Sequence, residues 1–201
     1  GFIVPCADIL NHQPGGGIGF FTQNQKFGFR APTTWRKGEP IYNDYGVQSN
    51  LELLLTFGFT MESNACDSVP IELSLDPLNP FTLTIEPLLL SKYPSYKVSS
   101  LTAHTVPEAL LLFTRLSTLT LLDIEQVHAI LEGQTCQSDK ELIAVRAAVK
   151  IISAKLKSFP KVINNCGILS LNNKNAKILQ ETQIQILRQN VMLLVNLTSV
   201  P

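Results

Sequence analysis

Cysteine is scarce in this 201-residue chain and charge is sparse and balanced, which excludes several classes of protein. Charged residues make up 16% of the sequence, and 16 basic residues offset 16 acidic ones. No basic stripe interrupts this balance, so the electrostatic signature of nucleic-acid binding is missing. No two cysteines have the spacing of a zinc ligand pair or suggest a disulfide framework; they are Cys6, Cys66, Cys136 and Cys166. We therefore expect reduced thiols, no metal site and no nucleic-acid partner.

Long hydrophobic runs are also missing. The most apolar stretch, 109–122, contains Arg115 and is shorter than the roughly 20 residues that a membrane-spanning helix needs. Because no signal-peptide pattern is recognised either, we expect a cytoplasmic, nuclear or organellar protein that does not bind membranes. Hydrophobic residues still make up 45% of the chain, enough for a packed core. The chain begins with the apolar run GFIVPCAD and without Met, which favours a fragment that lacks its natural N-terminal part.

The first 60 residues predict a small β-rich part that ends in a helix. The glycine-rich run 13–19 predicts a loop, and the segments 26–31 and 40–44 predict short strands. The run 50–57 predicts a helix, which Gly58 ends.

The middle of the chain predicts a connecting segment with short strands. Apolar residues alternate over 71–75 and 81–85, a pattern typical of strands. The stretch 91–105 is interpreted as a linker. The predicted domains are therefore residues 1–60, 61–105 and 106–201.

The last part of the chain predicts a helical bundle. Asp123 is a candidate helix cap, and Ser138 with Glu141 has the spacing of a capping box. A buried helix, apolar nearly all round, is predicted from Pro107 to about Leu122, and a second helix from Asp123 to Gly133. Apolar residues recur every three or four positions in two further predicted helices, from Ser138 to Pro160 and from about Asn173 to Leu197. The predicted fold class is α+β, with a mostly α-helical final domain.

Two groups of residues suggest chemistry without deciding it. Asp8 and His12 are four residues apart, so on a helix they share a face, as half a metal site or an acid–base pair do; such pairs also arise often by chance. The run Gly15–Gly19 is glycine-rich like a phosphate loop, but no helix with a Lys-Ser or Lys-Thr start follows it. A surface loop is the better interpretation.

Two segments, taken in order, carry a family resemblance. The first is VPCADILNH, residues 4–12, and the second is KGEPIYNDYG, residues 37–46, which continues through Ser49-Asn50 to Gly58. Together they resemble the second half of a SET domain, from the group that contains the plant Rubisco large-subunit lysine methyltransferase and the actin-histidine methyltransferase. In that group an all-helical substrate-binding domain follows, and the helices predicted over 138–160 and 173–199 are similar to two of its helices.

The resemblance implies methyl transfer from S-adenosylmethionine to a protein substrate, without a metal, with lysine favoured over histidine as the acceptor. It puts Tyr45 at the family's catalytic tyrosine, beside the substrate. It puts Asn11 and His12 at the Asn-His pair that binds the cofactor, and Phe57 at an aromatic position near the cofactor's adenine. Asp8 matches an aspartate near the substrate lysine.

Plainer interpretations stand beside these assignments. Tyr45 is alternatively a core aromatic, His12 a buried histidine bonded to a carbonyl, and Asp8 a capping or turn residue. For the whole chain, the alternative is a noncatalytic protein-binding module, made of a SET remnant and a helical interaction domain. The joint presence of Asn11, His12 and Tyr45 favours the methyltransferase.

Overall fold

The computed structural model describes residues 9–79, 81–160 and 170–198. The chain forms two compact units, one ending at Gln48 and the other beginning at Ser49. The predicted α+β class is confirmed, because short strand pairs lead the chain and helices dominate the remainder. The three predicted domains stay a prediction of domain organisation.

Short strands make up the regular structure in the described part of the first unit: β1 Asn11–His12, β2 Gly19–Gln23, β3 Lys26–Arg30 and β4 Tyr42–Asn43. Strands β1 and β4 pair in parallel, whereas β2 and β3 form an antiparallel hairpin. The hairpin turn consists of Asn24 and Gln25, whose φ angles are 51° and 60°, the left-handed pair typical of a tight two-residue turn. The strand predicted over 26–31 is confirmed, and the one predicted over 40–44 is reduced to two residues.

The placement of His12 in β1 corrects one sequence expectation. A carboxylate and an imidazole four residues apart share a face on a helix, but His12 lies in a strand, where side chains repeat every two residues. His12 therefore lies on no helical face, and the expected pairing with Asp8 loses its geometric basis. Asp8 itself lies outside the described residues.

Helix α1, Asn50–Phe57, opens the second unit over its predicted range. The Ser49 hydroxyl accepts the backbone N–H of Glu52, and the Glu52 carboxylate accepts the backbone N–H of Ser49. This reciprocal arrangement is a capping box. Gly58 follows with a φ of 80°, which ends the helix in the left-handed conformation that glycine adopts without steric cost.

The strand predicted over 81–85 is wrong, because Thr82–Lys92 form helix α2. The apolar residues there alternate in the sequence, but Leu83 is 83% exposed. The apolar side chains that become buried lie four residues apart, on one helical face: Phe81, Ile85 and Leu89.

The linker predicted over 91–105 is also wrong in part. It contains β6, Val98–Leu101, which pairs antiparallel with β5, Val69–Glu72. Strand β6 alternates exposed and buried residues, but one of its inward positions is Ser99. A polar residue at a buried position conceals the apolar alternation that identifies a strand.

Helices account for most of the remaining structure: α3 Glu108–Ser117, α4 Gln126–Leu131, α5 Ser138–Ser158 and α6 Leu171–Thr198. The predicted long helices α5 and α6 are confirmed. Helix α3 begins one residue later than predicted, with Pro107 as its N-cap and not in its first turn. It ends before Leu122, where a 3-10 turn intervenes.

Two predicted helix caps are wrong. Asp123 lies in that 3-10 turn and its carboxylate accepts the N–H and the hydroxyl of Thr120, so it caps the turn and not α4. Ser138 is the first residue of α5 and not its N-cap. Glu141 instead binds the guanidinium of Arg115, with a shortest N–O distance of 2.6 Å. The same carboxylate also accepts the backbone N–H of Cys136 at 3.0 Å, two residues before α5 begins.

The core of the second unit forms where α3, α5 and α6 pack together and where α6 contacts the β5–β6 sheet. Burying an aliphatic side chain of this kind stabilises the fold by about 1.5–3 kcal/mol. The fully buried members include Leu89, Leu101, Leu110, Leu116, Ile152, Leu187 and Leu194. Within the described ranges, none of the helices is long and apolar enough to cross a membrane.

Candidate active site

The parallel pairing of β1 and β4 brings the two motif segments together. Asn11 lies opposite Tyr42, and His12 lies opposite Asn43. The N–H of Gln13 extends the pairing by donating to the Asn43 carbonyl at 3.0 Å. Residues that the sequence separates by a loop, a hairpin and a turn therefore share one small sheet.

Tyr45 is held by hydrogen bonds at its side-chain hydroxyl and at its backbone N–H. Its hydroxyl donates to the Leu10 carbonyl at 2.6 Å, and its backbone N–H donates to Nδ1 of His12 at 3.1 Å. The Tyr45 and His12 rings stack, with centroids 5.0 Å apart and an interplanar angle of 28°. The hydroxyl is the donor in its bond to Leu10, and a phenol oxygen can accept a hydrogen bond as well as donate one.

His12 accepts a hydrogen bond from the backbone of Tyr45. Its side chain is only 4% exposed, and its Nδ1 receives the Tyr45 N–H at 3.1 Å. Asp44 lies 3.9 Å from Nδ1, too far for a hydrogen bond, so the backbone contact dominates. The His12 ring therefore supports Tyr45.

Asp44 joins the glycine-rich loop to the turn after Tyr45, a role that the sequence analysis did not assign. Its Oδ2 accepts the N–H of Gly15 and its Oδ1 accepts the N–H of Gly46, each at 2.9 Å. The hydrogen bonds from Gly15 and Gly46 hold the pKa of the Asp44 carboxyl below its usual range, against a small opposing effect of burial. The sequence shows an aspartate beside the candidate tyrosine, but the loop glycine that it binds is 29 residues away, so the pair has no local signal.

The remaining predicted site residues that the structure describes make none of the contacts described above for Tyr45. Asn11 is exposed in β1, and its carboxamide carries both donors and acceptors for a polar ligand. Asp8 lies outside the described residues. Phe57 belongs to the second unit, at the end of α1, where its ring is 46% exposed and 6.4 Å from the ring of Phe59. An exposed aromatic face of this kind can stack on a planar ligand.

Asn50 supports the segment that carries Phe57. Its side-chain amide donates to Oδ2 of Asp67 at 2.9 Å and to the Met61 carbonyl at 3.0 Å, and its Oδ1 accepts the Met61 N–H at 2.9 Å. Asn175 on α6 adds a donor to the Gly58 carbonyl at 3.0 Å. These bonds fix the chain on both sides of Phe57 within the second unit.

Comparison with known proteins identifies relatives by sequence. No protein-family model matches the chain. It is 29% identical over 103 residues to ribosomal lysine N-methyltransferase 1 of Saccharomyces cerevisiae, covering 51% of this chain and 17% of that protein. It is 29% identical over 91 residues to the Rubisco large-subunit N-methyltransferase of Pisum sativum, covering 39% and 19%. It is 34% identical over 74 residues to the actin-histidine N-methyltransferase of Danio rerio, covering 36% and 12%.

Solved structures extend the likeness to nearly the whole chain. The SET domain of LSMT bound to lysine and AdoHcy matches with a TM-score of 0.74 at 21% identity, over 96% of this chain and 49% of that one. Rubisco LSMT bound to AdoMet matches with a TM-score of 0.73 at 21% identity, over 98% and 50%. The chain thus spans about half the length of these solved chains. Its fold is that of the Rubisco LSMT structures, and its sequence makes it a homologue of the SET-domain protein methyltransferases.

Proposed function

We propose that the protein to which this chain belongs is an S-adenosylmethionine-dependent protein-lysine methyltransferase, with Tyr45 as its catalytic tyrosine. The observation that carries the proposal is the convergence of both motif segments on Tyr45, whose hydroxyl binds Leu10 and whose ring stacks on His12. The sequence relatives support it, because several of them are named as lysine methyltransferases of protein substrates.

Lysine methylation requires a neutral amine at the moment of transfer. A lysine side chain has a reference pKa near 10.4, so removing its proton at pH 7 costs about 4–5 kcal/mol. A site that is poor in water and close to another positive charge lowers that cost by disfavouring the ammonium form. The cofactor supplies such a charge when bound, together with an electrophilic methyl group on its sulfonium sulfur.

Tyr45 orients the acceptor nitrogen in this proposal. Its hydroxyl proton is directed to the Leu10 carbonyl at 2.6 Å, and a phenol oxygen in that arrangement acts as a hydrogen-bond acceptor toward an N–H of the substrate amine. One such hydrogen bond holds the nitrogen with its lone pair turned away from Tyr45 and toward the methyl group. The stacked His12 ring keeps the phenol from rotating out of this position.

Asn11 and His12 are the proposed cofactor contacts in the first unit. The exposed Asn11 carboxamide has the donors and the acceptor that a polar amino-acid or adenine moiety requires. His12 contributes through its backbone, since its ring is engaged with Tyr45. The roles of Phe57 at the adenine and of Asp8 at the substrate lysine stay predictions.

Replacing Tyr45 by Phe in the natural protein tests the proposal. We expect AdoHcy to bind to the wild type and to Tyr45→Phe with similar affinity in calorimetry. Methyl transfer to a panel of ribosomal proteins, aldolase, Rubisco and actin is expected from the wild type, with kcat lowered about 100-fold or more in the variant, because the hydrogen-bond acceptor that orients the substrate nitrogen is lost.

Tyr96→Phe is the matched control. It also removes a phenol hydroxyl that donates a hydrogen bond, here to Glu86 at 3.1 Å in the second unit, and it should leave kcat unchanged. A folded natural protein that neither binds AdoHcy nor methylates any member of the panel overturns the proposal and favours the noncatalytic protein-binding module. Methylation of actin alone, on histidine, replaces lysine by histidine as the acceptor.

A further inference from the structure

We infer that Asp44 is a positioning residue, whose carboxylate clamps the glycine-rich loop to the turn after Tyr45 and thereby sets the place of the Tyr45 hydroxyl. This inference rests on the proposed function, which it deepens by naming a residue that acts through Tyr45. It concerns contacts within the first unit only.

The clamp uses both oxygens of one carboxylate. Oδ2 accepts the Gly15 N–H and Oδ1 accepts the Gly46 N–H, each at 2.9 Å. Gly15 and Gly46 have φ angles of 69° and 86°, in the region that other residues rarely adopt. Both turns are therefore shaped to present a backbone N–H to the same side chain.

Close packing of the loop on Asp44 reinforces these two bonds. A β-carbon added to Gly17 would lie 2.9 Å from the β-carbon of Asp44 and 3.4 Å from its backbone nitrogen. A contact of 2.9 Å does not fit a side chain at residue 17 without movement of the backbone. The loop thus lies directly on Asp44, held by a hydrogen bond at residue 15 and by close contact at residue 17.

The clamp sits between the contacts that hold Tyr45. Directly before Asp44, the Asn43 carbonyl accepts the Gln13 N–H, and directly after it, the Tyr45 N–H binds His12. Residues 10–15 are consequently joined to residues 43–46 on both sides of the carboxylate. Loss of the clamp frees the Gly46 turn and the loop that starts directly after His12, so Tyr45 keeps its contacts with Leu10 and His12 but is positioned less precisely.

A direct role for Asp44 as a general base fits the structure less well. Two backbone donors already bind its oxygens, and they lower its pKa, which makes it a weak proton acceptor at neutral pH. The ionised carboxylate accepts at both oxygens, whereas an amide in its place accepts at only one. Asp44→Asn should therefore keep half of the clamp, and Asp44→Ala none of it.

Steady-state kinetics of the natural protein test the inference. We expect kcat to fall about 100-fold in Asp44→Ala, as for other displacements of an orienting group, and about tenfold in Asp44→Asn, which loses one charge-assisted bond. The KM values for cofactor and protein substrate should stay within about threefold, since the groups that bind them remain. Asp76→Ala is the matched control: Asp76 also accepts a backbone N–H two residues on, from Leu78 at 2.9 Å in the second unit, and its loss should not change kcat.

A second readout does not depend on turnover. In amide NMR spectra the Gly15 and Gly46 N–H resonances should both shift in Asp44→Ala, whereas only one should shift strongly in Asp44→Asn. If Asp44→Ala does not fold, Asp44→Asn carries the test.

The outcomes distinguish the positioning role of Asp44 from the proposed methyltransferase function. Unchanged kcat in the Asp44 variants, with activity lost in Tyr45→Phe, overturns the positioning role and leaves the proposed function standing. Equal losses of kcat and of cofactor affinity make Asp44 a binding residue and overturn the inference too. A wild-type protein that transfers no methyl group overturns the proposed function, and the positioning role with it.

Discussion

The side chain of Asn50 is fully buried at the start of α1 and connects three parts of the second unit. It bonds to the carboxylate of Asp67 and to both backbone groups of Met61, and its own N–H donates to Asp67 at 3.0 Å. Asp67 is itself buried, at 7% exposure. A buried carboxylate is tolerated only where donors surround it, so Asn50 and Asp67 stabilise the fold together.

Replacing Asn50 by Ala is expected to destabilise the protein by about 2–4 kcal/mol, because a buried carboxylate loses a donor and Met61 loses both partners. Urea unfolding followed by circular dichroism measures the change. Asn172→Ala, at an exposed position of α6, is the control and should stay within about 0.5 kcal/mol of the wild type. A loss for Asn50→Ala as small as that of the control contradicts this account of the network.

At the candidate site, individual residues differed in how far the sequence could define them. Tyr45 and His12 stand in two recognisable segments, and the structure brings them into contact. Their roles in catalysis and cofactor binding stay predictions. The clamp by Asp44 was not predictable, because it depends on a loop 29 residues away in the sequence whose path only the folded chain defines.

Among the elements, the 3-10 turn after α3 is attached to α5 by an ion pair. The Asp123 carboxylate binds Thr120 within the turn and Lys140 in the first turns of α5. The hydrogen bond from Lys140 and those from Thr120 lower the pKa of Asp123 from 3.8 to about 2. Folding therefore favours the ionised carboxylate, so protonating Asp123 at low pH destabilises the folded protein.

Stability should fall with acid through the titration of Asp123. Its contribution is complete well above pH 3.8, declines below that value, and is gone below about pH 2, since the folded pKa is the lower one. Urea midpoints measured at pH 5 and pH 3 should therefore differ less in Asp123→Asn than in the wild type. The exposed Asp139→Asn is the control and should keep the wild-type difference; an equal difference in all three proteins speaks against the linkage.

Helix α2 illustrates why short elements resist prediction. Its sequence allows both an alternating and a four-residue apolar spacing, and a run of 11 residues can satisfy either one. Tertiary packing selects the helix, because Phe81, Ile85 and Leu89 are buried together in the core only when they share one helical face. Long helices such as α5 and α6 repeat their spacing often enough to exclude the strand.

At the scale of the whole molecule, the second unit contains its own hydrophobic core. All buried members of the core cluster lie between Val69 and Leu194. In the described part of the first unit, by contrast, the buried apolar side chain is that of Ile18. We therefore expect the two units to differ in their ability to fold alone.

Residues 49–201 expressed alone should unfold in one cooperative urea transition. Within that segment, Leu187→Ala should cost about 2–5 kcal/mol, because it leaves a cavity in the core, whereas Met192→Ala, at a position that is 66% exposed on the same helix, should cost little. Circular dichroism measures both. A broad, noncooperative transition of the isolated segment indicates that its core is incomplete.

The sequence by itself determined the features whose signals lie within a few residues. Helix α1 has its capping box and its terminal glycine inside one short segment, and α5 and α6 have their repeating apolar faces. The family resemblance was of the same kind, because each motif is contiguous. Contacts between neighbours in sequence form with little loss of chain entropy, so their residue patterns can be read locally.

The tertiary structure alone decided the features that depend on distant partners. It made 82–92 a helix, paired β6 with β5, and gave Glu141 to Arg115 in place of a helix cap. It also placed Gly15 on the carboxylate of Asp44. In each case the local sequence permits more than one arrangement. The contact that selects one of them is made with a residue distant in sequence, and it forms only when the chain has folded.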